Sequence, residues 1–80
     1  MKEEDIDREV LKDIIIISNS SILRREDIRF NGVIPVIPTM GDPTITCHYT
    51  YQYISMYTMI VDMKEYNRRA REKKLNELGI

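Results

Sequence analysis

One adjacent pair of side chains has the types for nucleophilic or metal chemistry, Cys47-His48. A thiol–imidazole dyad needs its two groups within hydrogen-bond reach, and a structural zinc site needs about four Cys or His ligands. Successive side chains on a strand point to opposite faces, and a helix does not align neighbours either. The chain owns one cysteine and one histidine, so any metal site would need carboxylates or a second copy. The expected reading is a small buried cysteine beside a surface histidine.

Other chemistries lack their constellations. Two carboxylates across a cleft, with separated pKa values, would be needed for acid–base work. Here the acids crowd the first thirteen residues or alternate with bases. Gly32, Gly41 and Gly79 stand alone, so no phosphate-cradling loop is present, and no serine sits in a nucleophile elbow. The sequence therefore points to a non-enzymatic protein with no catalytic residue, no metal ligand and no cofactor.

Binding residues are more plentiful. Tyr49, Tyr51 and Tyr53 share one parity with Ile45 and Cys47. A row of exposed tyrosines would suit an interface or base stacking, but the company of Ile45 and Cys47 makes it the inner face of a sheet. Met56, Met59, Ile60, Met63, Asn67 and Ala70 fall on one helical face, and Leu75 and Leu78 continue it. Met63, Ala70, Leu75 and Leu78, with Tyr57 beside them, are the expected partner-binding residues. Five bases lie within 67–74: Arg68, Arg69, Arg71, Lys73 and Lys74. They could contact phosphate or an acidic partner. Equally, they suit the negative end of a helix dipole and pair with Glu65, Glu72 and Glu77.

The elements that would position these residues read as follows. Residues 3–17 have the apolar spacing of a helix through Ile6, Val10, Ile14 and Ile17. The β-branched run 14–17 competes for strand, and the polar residues 18–21 break the element. Residues 22–30 read as a strand, Asn31-Gly32 as a type I′ hairpin turn, and 33–37 as the returning strand, edge-like because of Pro35. Three breakers make 38–43 a loop. Residues 44–53 alternate without interruption and read as a third strand. From about residue 55 a helix of about 23 residues is expected, ended by Gly79. The fold class is α+β: N-terminal helix, β-hairpin plus third strand in an antiparallel sheet, and a long C-terminal helix. The alternative is a mostly helical chain with one helix over 43–78, since Asp42-Pro43 would make a good helix start.

Composition sets the outer bounds. Eighty residues, 42% hydrophobic, with a net charge of −1, make one small domain, 1–80, near the size at which a single core suffices. The acidic opening is no signal peptide and no apolar run approaches a membrane span, so the expected location is the cytoplasm of the organism or of a host cell. Residues 1–13 carry six acids and three bases; residues 64–77 carry six bases and three acids. Such a chain is not globally basic, as a nucleic-acid binder normally is. The functional expectation is a self-associating protein–protein interaction protein: a small inhibitor, adaptor or assembly subunit, of a kind viruses and mobile elements encode. In a homo-oligomer the acidic helix of one copy would dock on the basic helix of another. The alternative is a small nucleic-acid-binding protein using the basic helix at 64–74.

Overall fold

The computed structural model of the protein describes residues 3–19, 23–36 and 41–79. A one-turn 3-10 segment, Glu3–Asp5, precedes helix α1 (Arg8–Asn19). A second one, Arg25–Asp27, leads into β1 (Ile28–Val36), followed by β2 (Thr44–Tyr51), β3 (Ser55–Asp62) and α2 (Met63–Glu77). The three strands form one antiparallel sheet in the order β1-β2-β3. This is the α+β class expected, and the hairpin of β2 and β3 over residues 44–62 replaces the alternative single helix over 43–78. The breaker at 18–21 and the loop at 38–43 reach into 20–22 and 37–40, outside the described residues.

The alternation of β2 organises the molecule. Ile45, Cys47 and Tyr49 are buried on one face, while Thr44, Thr46, His48 and Thr50 line the other. Both helices cover the first face. α1 buries Val10, Leu11, Ile14 and Ile15; α2 buries Tyr66. With Ile6, Val33 and Val61 they close the main core around Ile45 and Cys47, and Ile15, Ile28 and Tyr49 form a second cluster beside it. The run 14–17 is helical, and only half of it is inside: Ile14 and Ile15 are buried, Ile16 is half-buried and Ile17 is exposed.

Bounds shift at two places: α1 starts at Arg8 rather than residue 3 and runs through Ser18 and Asn19, read as breakers, and the strand read over 22–30 begins only at Ile28, after the 3-10 turn Arg25–Asp27. Three further features differ in kind from the sequence reading. Asn31-Gly32 is not a hairpin turn. β1 runs straight through it, with a bulge between Phe30 and Gly32 that leaves Asn31 as the extra residue. The bulge has a packing reason. Ile28 and Phe30 meet the second core cluster and Val33 the main one, although their numbers differ in parity. One inserted residue switches the parity and keeps all three on the helix side.

The hairpin instead joins β2 to β3 through Gln52 and Tyr53, whose φ angles are +56° and +63°. Ile54 N–H donates to the Tyr51 carbonyl across this turn at 3.3 Å. Neither residue is a Gly or Asn, so the usual sequence signal for two left-handed positions is missing.

The third correction is residues 55–62, expected as the first turns of the long helix. They pair with β2 from Ser55↔Tyr51 to Asp62↔Thr44. Tyr57, Thr58, Ile60 and Val61 favour a strand, and the free edge of β2 satisfies their backbone groups. Helix α2 begins only after Asp62, whose carboxylate accepts from Lys64 N–H at 2.7 Å. It therefore has 15 residues. It ends as expected, with Gly79 at a φ of +74° and its N–H donated to the Asn76 carbonyl.

Two substitutions separate these turn assignments. Gly32 has no left-handed φ, and a Cβ there would meet His48 Cδ2 at an ordinary 3.6 Å. Gly32→Ala should hold or raise stability by up to about 1 kcal/mol in urea unfolding. Gln52→Gly should also raise it, by about 0.5–1 kcal/mol, because it removes left-handed strain. A loss of more than about 2 kcal/mol for Gly32→Ala would restore the turn to that position.

Candidate interaction surface

The helix-free face of the sheet is the largest uncovered feature. Its rows follow from the register: Val36–Thr44–Asp62, Ile34–Thr46–Ile60, Gly32–His48–Thr58 and Arg29–Thr50–Met56. Its middle is a ladder of half-buried threonines. Its flanks are apolar and exposed: Ile34 54%, Val36 46%, Met56 67% and Ile60 66%. His48 contributes a ring nitrogen, Nδ1, 3.1 Å from Thr58 Oγ1. The charged residues of these rows are Arg29 and Asp62, and each is engaged. The Arg29 guanidinium lies 4.6 Å above the Tyr53 ring, and Asp62 caps α2. The four apolar side chains are exposed in the single chain.

The two edges of the sheet differ. Edge β1 carries Arg29, the bulge and Pro35, the devices that blunt strand pairing. Edge β3 has no proline, glycine or bulge, and Ser55–Asp62 is uncharged up to Val61. At its start, Tyr53 and Ile54 extend the exposed apolar surface around the turn.

The tyrosines divide by position. Tyr49 is buried and Tyr51 half-buried on the helix side; Tyr53 projects from the turn. Tyr57 is exposed, and its ring stacks on Tyr49 with centroids 5.4 Å apart. Of the expected partner-binding stripe, Met63 and Ala70 pack against the main core, while Leu75 and Leu78 remain exposed. Periodicity alone did not divide the stripe, because its first members belong to a strand and its last to the solvent end of α2. The exposed Ile34 and Val36 escaped notice because the bulge shifts which parity of β1 faces out.

The basic residues of α2 are largely engaged within the chain. Arg68 pairs with Glu65 and Glu72, and Arg69 with Glu65 at 2.7 Å. Lys73 Nζ lies 2.6 Å from Asp7 Oδ2. Arg71 and Lys74 form no ion pair among the described residues. Of the acidic-on-basic contacts expected between copies, one, Asp7 with Lys73, is made inside one chain. An open cleft of about 620 Å³ between α1 and α2 has Ile16 and Ile17 in its lining, with Asp13, Arg25, Arg69 and Lys73. Those charges are paired: Arg25 with Asp13 and Glu9, Arg69 with Glu65, and Lys73 with Asp7.

Asp7 joins the helices. Its carboxylate accepts from Glu9 N–H at 2.9 Å, capping α1, and its own N–H donates to Tyr66 Oη at 2.8 Å. Partial burial works against its charge, but the hydrogen bond from Lys73 and those from the Glu9 and Val10 N–H groups together outweigh it. The carboxyl is held below its ordinary value of 3.8. Cys47 is the opposite case. It is fully buried on the core side of β2, and burial pushes its thiol up to about 11. His48 lies on the other face, so the two side chains do not meet. Among the described residues no three His, Cys, Asp or Glu side chains cluster as a metal site. No helix among them is long and apolar enough to cross a membrane.

The fold and surface define a small α+β protein whose sheet is covered on one side only among the described residues. No protein-family model, curated protein or solved structure matches the chain.

Two measurements check the buried groups. Because the folded-state pKa of Asp7 is lowered, its contribution is present above the unfolded-state value and is lost as pH falls through the folded one. Asp7→Asn should therefore lower stability at neutral pH and flatten the fall in stability below about pH 4; an unchanged acid limb would show that Asp7 does not carry it. The Cys47 thiol should react with a thiol reagent only as fast as the protein unfolds. Rapid reaction under native conditions would show an accessible thiol.

Proposed function

We propose that the chain is a non-enzymatic protein–protein interaction protein, an adaptor, inhibitor or assembly subunit, and that it self-associates. The observation that carries this reading is the uncovered apolar sheet face formed by Ile34, Val36, Met56 and Ile60. A polyanion partner finds less support. Arg68, Arg69 and Lys73 are already paired with carboxylates, and the open face offers apolar groups and threonines. Its size supports a partner as well, since a chain of 80 residues buries only about 60% of the surface it exposes unfolded.

Light scattering over a micromolar concentration series should give a mass above that of the 9.5 kDa chain. Ile34→Lys with Ile60→Lys should return it to the monomer with an unchanged far-ultraviolet spectrum. A constant monomer mass would refute self-association. In an electrophoretic shift assay, binding that falls steeply with salt would move the reading to nucleic acid.

A further inference from the structure

We infer that a second copy of the chain docks on edge β3, strand to strand, with the two β3 strands antiparallel about a two-fold axis at Thr58. The inference rests on the self-association proposed above and names its geometry: one six-stranded sheet, rather than two sheets stacked face to face.

The two edges of the sheet supply the first argument. An exposed strand edge is a template for pairing unless something blunts it. β1 is blunted by Pro35, by the bulge before Gly32 and by Arg29; β3 has none of these over Ser55–Asp62 short of its final residue. Among the described residues β3 pairs only with β2, so its outward N–H and C=O groups have no strand partner there.

The second argument selects a copy of the same chain. A two-fold axis sets a strand against itself, so every charge in the paired segment meets or approaches its own duplicate. Residues 55–61 carry no charge. They can face their own copy without repulsion.

The third argument selects the register. Antiparallel two-fold pairing places one residue opposite its own copy. With Thr58 on the axis, Met56 faces Ile60 of the second copy on the open face. Tyr57 then faces Met59 on the helix side, and Ser55 faces Val61. Met56 and Ile60 are exposed on the strand's open face, at 67% and 66%, and this register sets them side by side across the new strand pair. The Tyr57 ring, already stacked on Tyr49, gains a methionine sulfur at its free edge. Moving the axis to Met59 would instead set Asp62 against Met56 and Tyr57 against the buried Val61. The Thr58 register also joins the rows of the two sheets, so that Ile34–Thr46–Ile60 of one copy continues into Met56–Thr50–Arg29 of the other.

Charge placement and spin labelling test the geometry on the full chain. Thr58→Lys puts two like charges together on the axis and should shift the protein to monomer at concentrations where the parent is a dimer. Thr46→Lys lies two strands from its copy's β3 and should leave the dimer intact. Nitroxide labels on Thr58→Cys, Thr46→Cys and Ile34→Cys, in a Cys47→Ala background, should show strong spin–spin broadening at 58. Broadening should weaken at 46 and vanish at 34, whose backbone positions would be about 25–30 Å apart at ordinary strand spacings. A dimer with its strongest broadening at 46 or 34 and disrupted by Thr46→Lys overturns edge pairing in favour of stacked faces, whatever Thr58→Lys does, since Thr58 also lies on the open face; it leaves self-association standing. A dimer indifferent to both lysines, with no broadening at any site, places the contact elsewhere and also overturns it. A parent chain that stays monomeric at every concentration removes both this inference and the self-association beneath it.

Discussion

Everything in this molecule depends on β2 having two faces of different chemistry. It is the central strand, bonded to β1 on one side and β3 on the other. Its core-facing residues Ile45, Cys47 and Tyr49 reach into both hydrophobic clusters. Its outward residues are threonines and a histidine, which tolerate either water or a partner. Because side chains alternate strictly, a one-residue slip of β2 would turn its apolar set outward and its threonines inward. The bulge in β1 and the left-handed turn before β3 are both consequences. β1 keeps Ile28, Phe30 and Val33 on the face that β2 defines by means of its bulge, and β3 sets Met59 and Val61 there.

The helices follow from the same constraint. Two short helices of 12 and 15 residues can shelter one face of a three-stranded sheet, and they are held over that face together. The Asp7 junction does this with three contacts from one residue: an N-cap for α1, a hydrogen bond to Tyr66 and an ion pair with Lys73. Tyr66 lies with its ring in the core and its hydroxyl at the rim, the usual arrangement for a buried tyrosine. Of the opposite charges at the chain's two ends, Asp7 and Lys73 meet across α1 and α2. What is left for a partner is the side the helices do not reach.

The candidate surface is consistent with this division. Apolar groups on the open face, where no element among the described residues packs, expose hydrocarbon to water. Burying such groups against another protein would recover that free energy at roughly 25 cal/mol per Å² before association costs. The strained turn points the same way. Gln52 and Tyr53 occupy left-handed positions without the residues that make them easy, and such strain is commonest at sites with a use. Arg29 resting over Tyr53 holds this end of the surface in place.

The sequence alone determined the class of fold, and strong periodicity is the reason. The four-residue apolar spacing of α1 and the unbroken alternation of 44–53 each specify an element whatever packs on it. Thr44–Tyr51 and Arg8–Asn19 stand where those patterns fall, and the buried Cys47 and outward His48 follow from parity alone. Tertiary structure decided the rest, wherever local signals were ambiguous or conflicting. Residues 55–62 fit a helical face and a strand about equally; the open edge of β2, pairing along eight residues, made them strand. Asn31-Gly32 is a strong local turn signal, yet the need to keep Phe30 and Val33 on one face turned it into a bulge. The site was the least legible part. Which of Ile34, Met56, Met63, Ile60 and Leu78 meets water depends on which face the helices choose, and that choice is made by the joint packing of α1, α2 and β2, with no trace in the local order of residues.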